Sequence, residues 1–417
     1  MSGEDILGRR EVLGWRFGLE RMRRLCSLLG MPQHRFASVH VVGTNGKTSV
    51  ARMTAALLHA HGVSTGVYTS PHIHSWRERI LIGGEPISAP AFDEALERAE
   101  QAAEVADRAA GDDGPVTQYE LLTAAAFLAF AAARVEVAVV EAGLGGRLDA
   151  TNVIPSKLTV LTSVGLDHTE WLGETVEEIA AEKLAVLRDH TKLICGHVPE
   201  VVAPVVERLV ADRHADVSYV SAGGNLGFQG WNLGLAQAAA SEFLEAPEWD
   251  PREVLALPRS IPGRAQVVPG DPPLIYDAAH NPDGARALAD SLAELTLPLR
   301  PELGGECPVV ACLAILEDKD AAGIVAALAP ACARFVCTEI PAAVIEGSGR
   351  PDSRAHPAAD LVALCKQAGV EAEAVADPLA AWARARELAI ERGGVALAAG
   401  SHYLLRCLWT EEHAESS

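Results

Sequence analysis

The apolar run at residues 39–42 ends in Gly43-Thr44-Asn45-Gly46-Lys47-Thr48-Ser49, and an alanine- and leucine-rich helical stretch follows at once. A buried strand that turns through glycines into a helix leaves few folds open. The turn gathers backbone N–H groups and the positive end of the helix at one point, and a lysine set there makes that point a phosphate cradle. The strict phosphate-loop pattern is missed at one position, where Val41 stands for its first glycine. Glycine turns of this kind also serve purely structural ends, and the lysine is what separates the two cases.

The same rhythm of short apolar runs and helical stretches repeats along the chain, as it does in parallel sheets with crossover helices. Strands are expected at 39–42, 66–69, 135–141, 158–163, 193–195 and 217–220. The most apolar stretch, 124–142, is interrupted by Arg134 and Glu136, so it reads as a helix followed by a buried strand and not as a membrane span. After a helix over 231–244, Pro247, Pro251, Pro258, Pro262 and Gly263 break the periodicity and mark a linker. Strands resume at 274–277, 309–315, 334–338 and 395–399. The expected fold class is therefore α/β: a phosphate-loop-type parallel sheet domain over 1–260, then a smaller Rossmann-like α/β domain over 261–417.

Composition narrows the partners. With 417 residues of which 49% are hydrophobic, the chain is long enough for about two cores. A formal charge of -21 repels phosphate backbones and anionic lipid, which argues against nucleic acid and membrane surfaces. Residues 1–6 lack a basic stretch followed by an apolar one, so a cytoplasmic protein is expected. The eight cysteines are then reduced and mostly buried; Cys307 with Cys312 and Cys332 with Cys337 suggest a zinc site only weakly, because Cys312 and Cys337 lie inside apolar runs.

Ligands of open parallel sheets gather where strands end, so the terminating residues matter. The second run ends at Thr69-Ser70-Pro71-His72, the third at Glu141, and the fourth reaches Asp167-His168. A hydroxyl, a carboxylate and an imidazole at one sheet edge form a set able to hold magnesium beside a nucleotide. Singly each has a plain structural reading: a turn before proline, a solvated strand end, a helix cap.

The segments GTNGKTS, TSPH, EAGLGGRLDATNVI, GLDHTEWLGETVEEIAAEK, PGR, DAAHNP, DKD and GSHYL, in this order, resemble those of the dihydrofolate synthase/folylpolyglutamate synthase family of the Mur ligase superfamily. The similarity spans nearly the whole chain. Peptidoglycan-building Mur ligases share the phosphate loop and the histidine-asparagine segment but not GLGGRLDATN. The resemblance implies an ATP-dependent ligase that adds L-glutamate to dihydropteroate and to folylpoly-γ-glutamates through an acyl phosphate. It implies that Thr44, Asn45, Gly46, Lys47, Thr48 and Ser49 hold the ATP phosphates, joined across the domain junction by Asn232 of a Gln-x-x-Asn pattern, Arg264, Asp277 and His280. Ser70, Glu141 and His168 become magnesium ligands, with two magnesium sites expected. Lys47, His168 and Lys183 become catalytic, Lys183 matching a lysine that is carbamylated; from sequence alone it reads as a solvated helix lysine. Thr117, Tyr119, Asp149 and Ala150 match pterin-side positions, and Phe17-Gly18-Leu19-Glu20-Arg21 the segment of forms that accept dihydropteroate. Asn281, Lys319 and Ser401 fall to glutamate. Asp318-Lys319-Asp320 is not a guanine-reading motif, since Asp318 stands where that motif needs asparagine. Relatives are commonly monomeric.

Some positions depart from the family pattern: Arg77 stands for asparagine, Leu184-Ala185 for alanine-glycine, Ile261 and Ala265 for aromatics around PGR, and the interval 197–229 is short. Two other classes stay open. A nucleotide-dependent regulator would bind ATP without forming an amide, and a ligase for a non-folate carboxylate would turn over ATP only with another acceptor.

Overall fold

In the computed structural model the described residues are 2–11, 16–220, 227–245, 261–299, 307–346 and 353–409. The chain divides into two compact units, Met1–Pro258 and Arg259–Ser417. Of the expected linker, Pro247 to Pro258 lie outside the described residues, while Pro262 and Gly263 form a turn closed by a bridge between Ile261 and Arg264; residues 221–226 of the short interval also lie outside them.

The first unit contains β1 (Ala37–Val42), β2 (Thr65–Tyr68), β3 (Ile80–Ile82), β4 (Glu85–Pro86), β5 (Val137–Glu141), β6 (Leu158–Leu161), β7 (Lys192–Cys195) and β8 (Asp216–Tyr219). Among the described residues these form one sheet in the order β4-β3-β2-β5-β1-β6-β7-β8. Pairing is parallel from β2 through β8, while β3 runs antiparallel to β2 and β4 to β3. Every residue of β5 is buried, which explains its unbroken apolar run: a parallel strand is covered on both faces. Two differences from the expected strands follow from pairing. β5 begins at Val137, not 135, and β6 stops at Leu161, not at 163, because Thr162 and Ser163 turn toward the glycine loop.

The helix Gln118–Ala133 is apolar nearly all round and buried along most of its length. Its first turn is set by Thr117, whose hydroxyl accepts from Glu120 N while the Glu120 carboxylate accepts from Thr117 N, a reciprocal cap. The helix Ala89–Arg108 turns Phe92, Ala95, Leu96, Ala99 and Ala103 toward the same core, a three- and four-residue spacing. Phe127 and Phe130 are fully buried there, and cutting either back to alanine would cost about 3–5 kcal/mol. Arg21, itself buried, holds Glu120 at 3.0 Å and the carbonyls of Arg16 and Asp113. That set fastens the FGLER segment to the start of the helix.

The second unit contains β9 (Gln266–Val268), β10 (Leu274–Tyr276), β11 (Val309–Leu313), β12 (Arg334–Cys337), β13 (Ala372–Ala374) and β14 (Val395–Ala399). Among the described residues the order is β13-β12-β11-β14-β10-β9, parallel except for β9. β11 and β14 are buried throughout and lie side by side at the centre. The run expected at 309–315 is a strand only to Leu313, and β3, β4, β9 and β13 were not expected. Cys312, Cys332 and Cys337 are buried in this unit's interior, where burial raises the Cys332 thiol to about 12, the opposite of what a thiolate ligand needs. Among the described residues no helix is long and apolar enough to cross a membrane.

Candidate active site

Strand register builds the site in the first unit. β1 lies between β5 and β6, with Val41 opposite Glu141 and Val42 opposite Leu161. The glycine loop that leaves β1 is therefore flanked by Glu141 on one side and by Thr162 and Ser163 on the other. Those two hydroxyls staple the loop: Thr162 Oγ1 donates to Asn45 O at 2.6 Å, Ser163 Oγ lies 3.1 Å from the same oxygen, and Asn45 N donates to Ser163 Oγ at 2.9 Å. Thr44 Oγ1 adds bonds to Gly165 N and O. Gly46 has φ +85, and a Cβ there would stand 2.5 Å from Asn232 Oδ1, so only glycine serves. Asn232 is in turn held by Gln229 Oε1 at 3.1 Å. The Gln-x-x-Asn pattern and the glycine loop thus meet.

Lys47 opens the helix Lys47–Ala60 and folds back to donate to the carbonyls of Gly43 and Thr44, each at 3.1 Å. Lys183 reaches the same Gly43 carbonyl at 3.0 Å. Its reading as a solvated helix lysine is overturned: it is 4% exposed. Gly146 packs against the backbone of the same residue, where a Cβ would stand 2.5 Å from the Lys183 carbonyl oxygen. Burial above all, then the charge of Lys47, brings the Lys183 ammonium down to about 7.

Glu141 is buried, and Thr48 Oγ1 donates to its oxygens at 3.1 and 3.0 Å while Ser70 N donates at 3.1 Å. The strand-end carboxylate is thereby aimed at the glycine loop and is not a solvated end. His168 has φ +52 at the start of the helix Thr169–Leu172 and makes no side-chain cap bond; its Nε2 lies 3.7 Å from Asp167 Oδ1. His168 thus occupies the N-cap position through its backbone, its carbonyl accepting from Trp171 N and Leu172 N, while its imidazole takes no part in the cap.

Asp149 and Ala150 follow the glycines of the GLGGRLDATN stretch. Asp149 is buried; Oδ1 accepts from Thr151 N at 2.9 Å and Thr151 Oγ1 at 2.5 Å, and Oδ2 accepts from Leu144 N at 2.9 Å. The Tyr119 ring lies 6.2 Å from that of Tyr68 at a tilt of 35°, and its hydroxyl faces Gly143 of the same stretch. Thr117 serves as a helix cap.

In the second unit the expected residues fall at the ends of neighbouring parallel strands. Asp277 follows β10 and is buried; its oxygens accept from Ala265 N and Ala279 N, both at 2.7 Å, while burial raises its pKa against the pull of Arg264. Arg264 bonds Gly263 O at 3.0 Å and stands 3.4 Å from His402 Nδ1. His280 lies on the loop after Asp277, with its ring 5.1 Å from His402. Asn281 caps the helix Pro282–Thr296 through Gly284 N, and Ser401 caps His402–Leu408 through Tyr403 N. Lys319 follows β11 with its side chain 8% exposed and its amine 4.0 Å from Asp318, which rules out a freely solvated lysine.

The residues that sequence reasoning missed are the supports: Thr162 and Ser163, which fall within the strand expected at 158–163, and His40 within that expected at 39–42; Thr151 belongs to the Asp149-Ala150-Thr151 stretch already matched to the pterin side. Hydroxyls at the end of an apolar run were the available signal.

The chain matches the Mur ligase middle domain over residues 41–195 and the Mur ligase glutamate ligase domain over residues 263–402. It is 37% identical over 362 residues to a dihydrofolate synthase/folylpolyglutamate synthase of Mycobacterium tuberculosis, covering 75% of this chain and 72% of that protein. The structure of Escherichia coli FolC in complex with DHPP and ADP is similar with a TM-score of 0.82 at 26% identity, covering 100% of this chain and 99% of that one. A bifunctional folylpolyglutamate synthase/dihydrofolate synthase with Mn, AMPPNP and L-glutamate bound matches with a TM-score of 0.81 at 28% identity, covering 99% and 98%. From strand order, loop chemistry and these similarities together, the chain belongs to the dihydrofolate synthase/folylpolyglutamate synthase family of Mur ligases.

Proposed function

We propose that this chain is an ATP-dependent ligase that adds L-glutamate to dihydropteroate and to folylpoly-γ-glutamates, releasing ADP and phosphate. The observation that carries the reading is the convergence on the glycine loop of Glu141, held by Thr48 and Ser70, with Lys47 and Lys183 on one carbonyl. A phosphate-binding regulator needs the loop; it does not need a second lysine buried beside it.

A carboxylate resists amines because it is anionic and has no leaving group. Transfer of the γ-phosphoryl group of ATP to a carboxylate oxygen releases ADP and makes an acyl phosphate. The glutamate nitrogen then forms a bond to the acyl carbon, loses a proton, and phosphate departs with the electron pair of the broken C–O bond. Both steps concentrate negative charge, which Lys47 and the N–H groups of Gly46 to Thr48 would meet.

Glu141 and Ser70 offer hard oxygen donors and His168 a borderline nitrogen donor, and we assign the three to a divalent cation; the buried Glu141 carboxylate with the Thr48 hydroxyl beside it supports that fit. Mg²⁺ there would neutralise the ATP phosphates, and a second Mg²⁺ is part of the reading. Lys183, whose ammonium burial brings down to about 7, is the lysine placed to offer the uncharged amine that carbamylation by CO₂ requires. We assign Asn232, Arg264, Asp277 and His280 to ATP, Asp149, Ala150, Thr117 and Tyr119 to the folate, and Asn281, Lys319 and Ser401 to glutamate. The protein would work as a cytoplasmic monomer without nucleic acid or membrane partners.

The test is phosphate release with ATP, Mg²⁺ and L-glutamate, supplying dihydropteroate or tetrahydrofolate separately, with mass detection and a Lys47→Ala control. One added glutamyl group on both acceptors establishes both activities. Product from tetrahydrofolate alone leaves polyglutamylation only. No product from folded, ATP-binding protein overturns the folate reading in favour of another carboxylate.

A further inference from the structure

We propose that His40 is a positioning residue for the acceptor side of the site: acting through Thr151, it fixes the Asp149 carboxylate and with it the 143–151 segment. This rests on the assignment of that segment to the folate. His40 lies in the middle of β1, fully buried, where Val39 and Val41 turn toward one core and His40 toward the opposite face. A histidine inside a central strand forfeits apolar packing, so its polar contact calls for an account. That contact is His40 Nε2 to Thr151 Oγ1 at 2.8 Å.

The direction of each bond follows from the far end of the chain. Asp149 Oδ1 accepts from Thr151 N, and Oδ2 accepts from Leu144 N; Gly143 N adds a further backbone donor. Burial raises the Asp149 pKa, and these N–H groups oppose that rise by favouring the anion. A carboxylate can only accept, so Thr151 Oγ1, at 2.5 Å, must donate to Oδ1. Its lone pair is then left for His40, whose Nε2 must carry the proton. The chain therefore runs from imidazole to hydroxyl to carboxylate, and the ring is neutral with Nδ1 bare. Arg188 supports this state. It lies close enough to disfavour an imidazolium, which burial has already disfavoured, and it donates to Asn152 O, Asn152 Oδ1 and Ile154 O. The stretch that follows Asp149 is thus tied at one end to β1 by His40 and at the other to the turn before β7 by Arg188.

Two measurements on the full chain test this. In long-range ¹H–¹⁵N spectra of protein labelled at histidine, the resonances lost in His40→Gln should report a neutral ring protonated at Nε2 from about pH 5 to about pH 9. A ring protonated at Nδ1, or one that titrates in that range, would overturn the proposal. In steady-state kinetics His40→Leu and Thr151→Val should each raise KM for dihydropteroate about tenfold, as expected for a lost hydrogen bond to a charged network. KM for ATP and glutamate should stay as in the wild type, the double variant should be no worse than either single one, and His40→Gln, whose amide can donate to Thr151, should recover most of the loss. An equal fall in kcat for every substrate, or additive losses, would reduce His40 to a packing residue. Absence of wild-type turnover with any folate would instead sink the proposed function.

Discussion

Lys183→Met should make the first unit more stable near neutral pH while abolishing ligation. In the unfolded chain this lysine takes its proton at any pH below its ordinary 10.5, whereas in the fold it does so only below about 7. Through that window the unfolded state holds the extra proton, so stability rises with pH across it. The penalty is complete below about pH 7 and gone above about 10.5, amounting to about 5 kcal/mol at about 1.4 kcal/mol per tenfold change. Between about pH 7 and about pH 9.5 the wild type should regain up to about 3 kcal/mol of this, and Lys183→Met should regain none. Urea denaturation at those two pH values, in CO₂-free buffer without nucleotide or Mg²⁺, reads the difference between the two proteins, and other titrating groups cancel because both proteins carry them. The Lys183 bond to the Gly43 carbonyl, worth about 1–3 kcal/mol, offsets part of the gain at neutral pH but does not alter its pH dependence. Identical pH profiles for the wild type and the variant would show that Lys183 keeps its proton in the fold, and the account of its reactivity would fall with it.

Gly46→Ala should lower ATP affinity at least tenfold by calorimetric titration, because φ +85 and a Cβ at 2.5 Å from Asn232 Oδ1 oblige the loop to move. Arg21→Met should cost about 3–5 kcal/mol in denaturant titration by leaving the buried Glu120 carboxylate without its cation, and adding Glu120→Gln should recover part of the loss. Lys319→Met should raise KM for glutamate about tenfold with KM for ATP unchanged; a matching rise for ATP would remove Lys319 from the glutamate assignment.

Long buried runs were legible because parallel strands covered on both faces need unbroken apolar sequence: Val-Ala-Val-Val before Glu141 and the run Val395–Ala399 stand out unaided. The short pieces β3, β4, β9 and β13 span at most three residues each, too few for any period to register. Strand-end residues such as Glu141, Asp277 and Ser401 were legible for the same reason as the strands, since a parallel sheet collects them at one edge.

Lys183 was not legible, and the reason is tertiary. The helix Val176–Leu184 carries three glutamates and a lysine and has the composition of a solvated surface helix. Its surroundings come from far away in sequence: the amine reaches the Gly43 carbonyl of the glycine loop, and Gly146, lacking a side chain, lets the 143–151 segment lie against the Glu182 and Lys183 carbonyls. The same segment carries Asp149 and Thr151, which His40 holds from the opposite side. A single stretch thus lies against the Lys183 backbone through Gly146 and also carries the Asp149 loop. Its glycines and its aspartate therefore act as one unit, and a residue larger than glycine at 146 should disturb the Lys183 amine before it disturbs the strands, which pair without it.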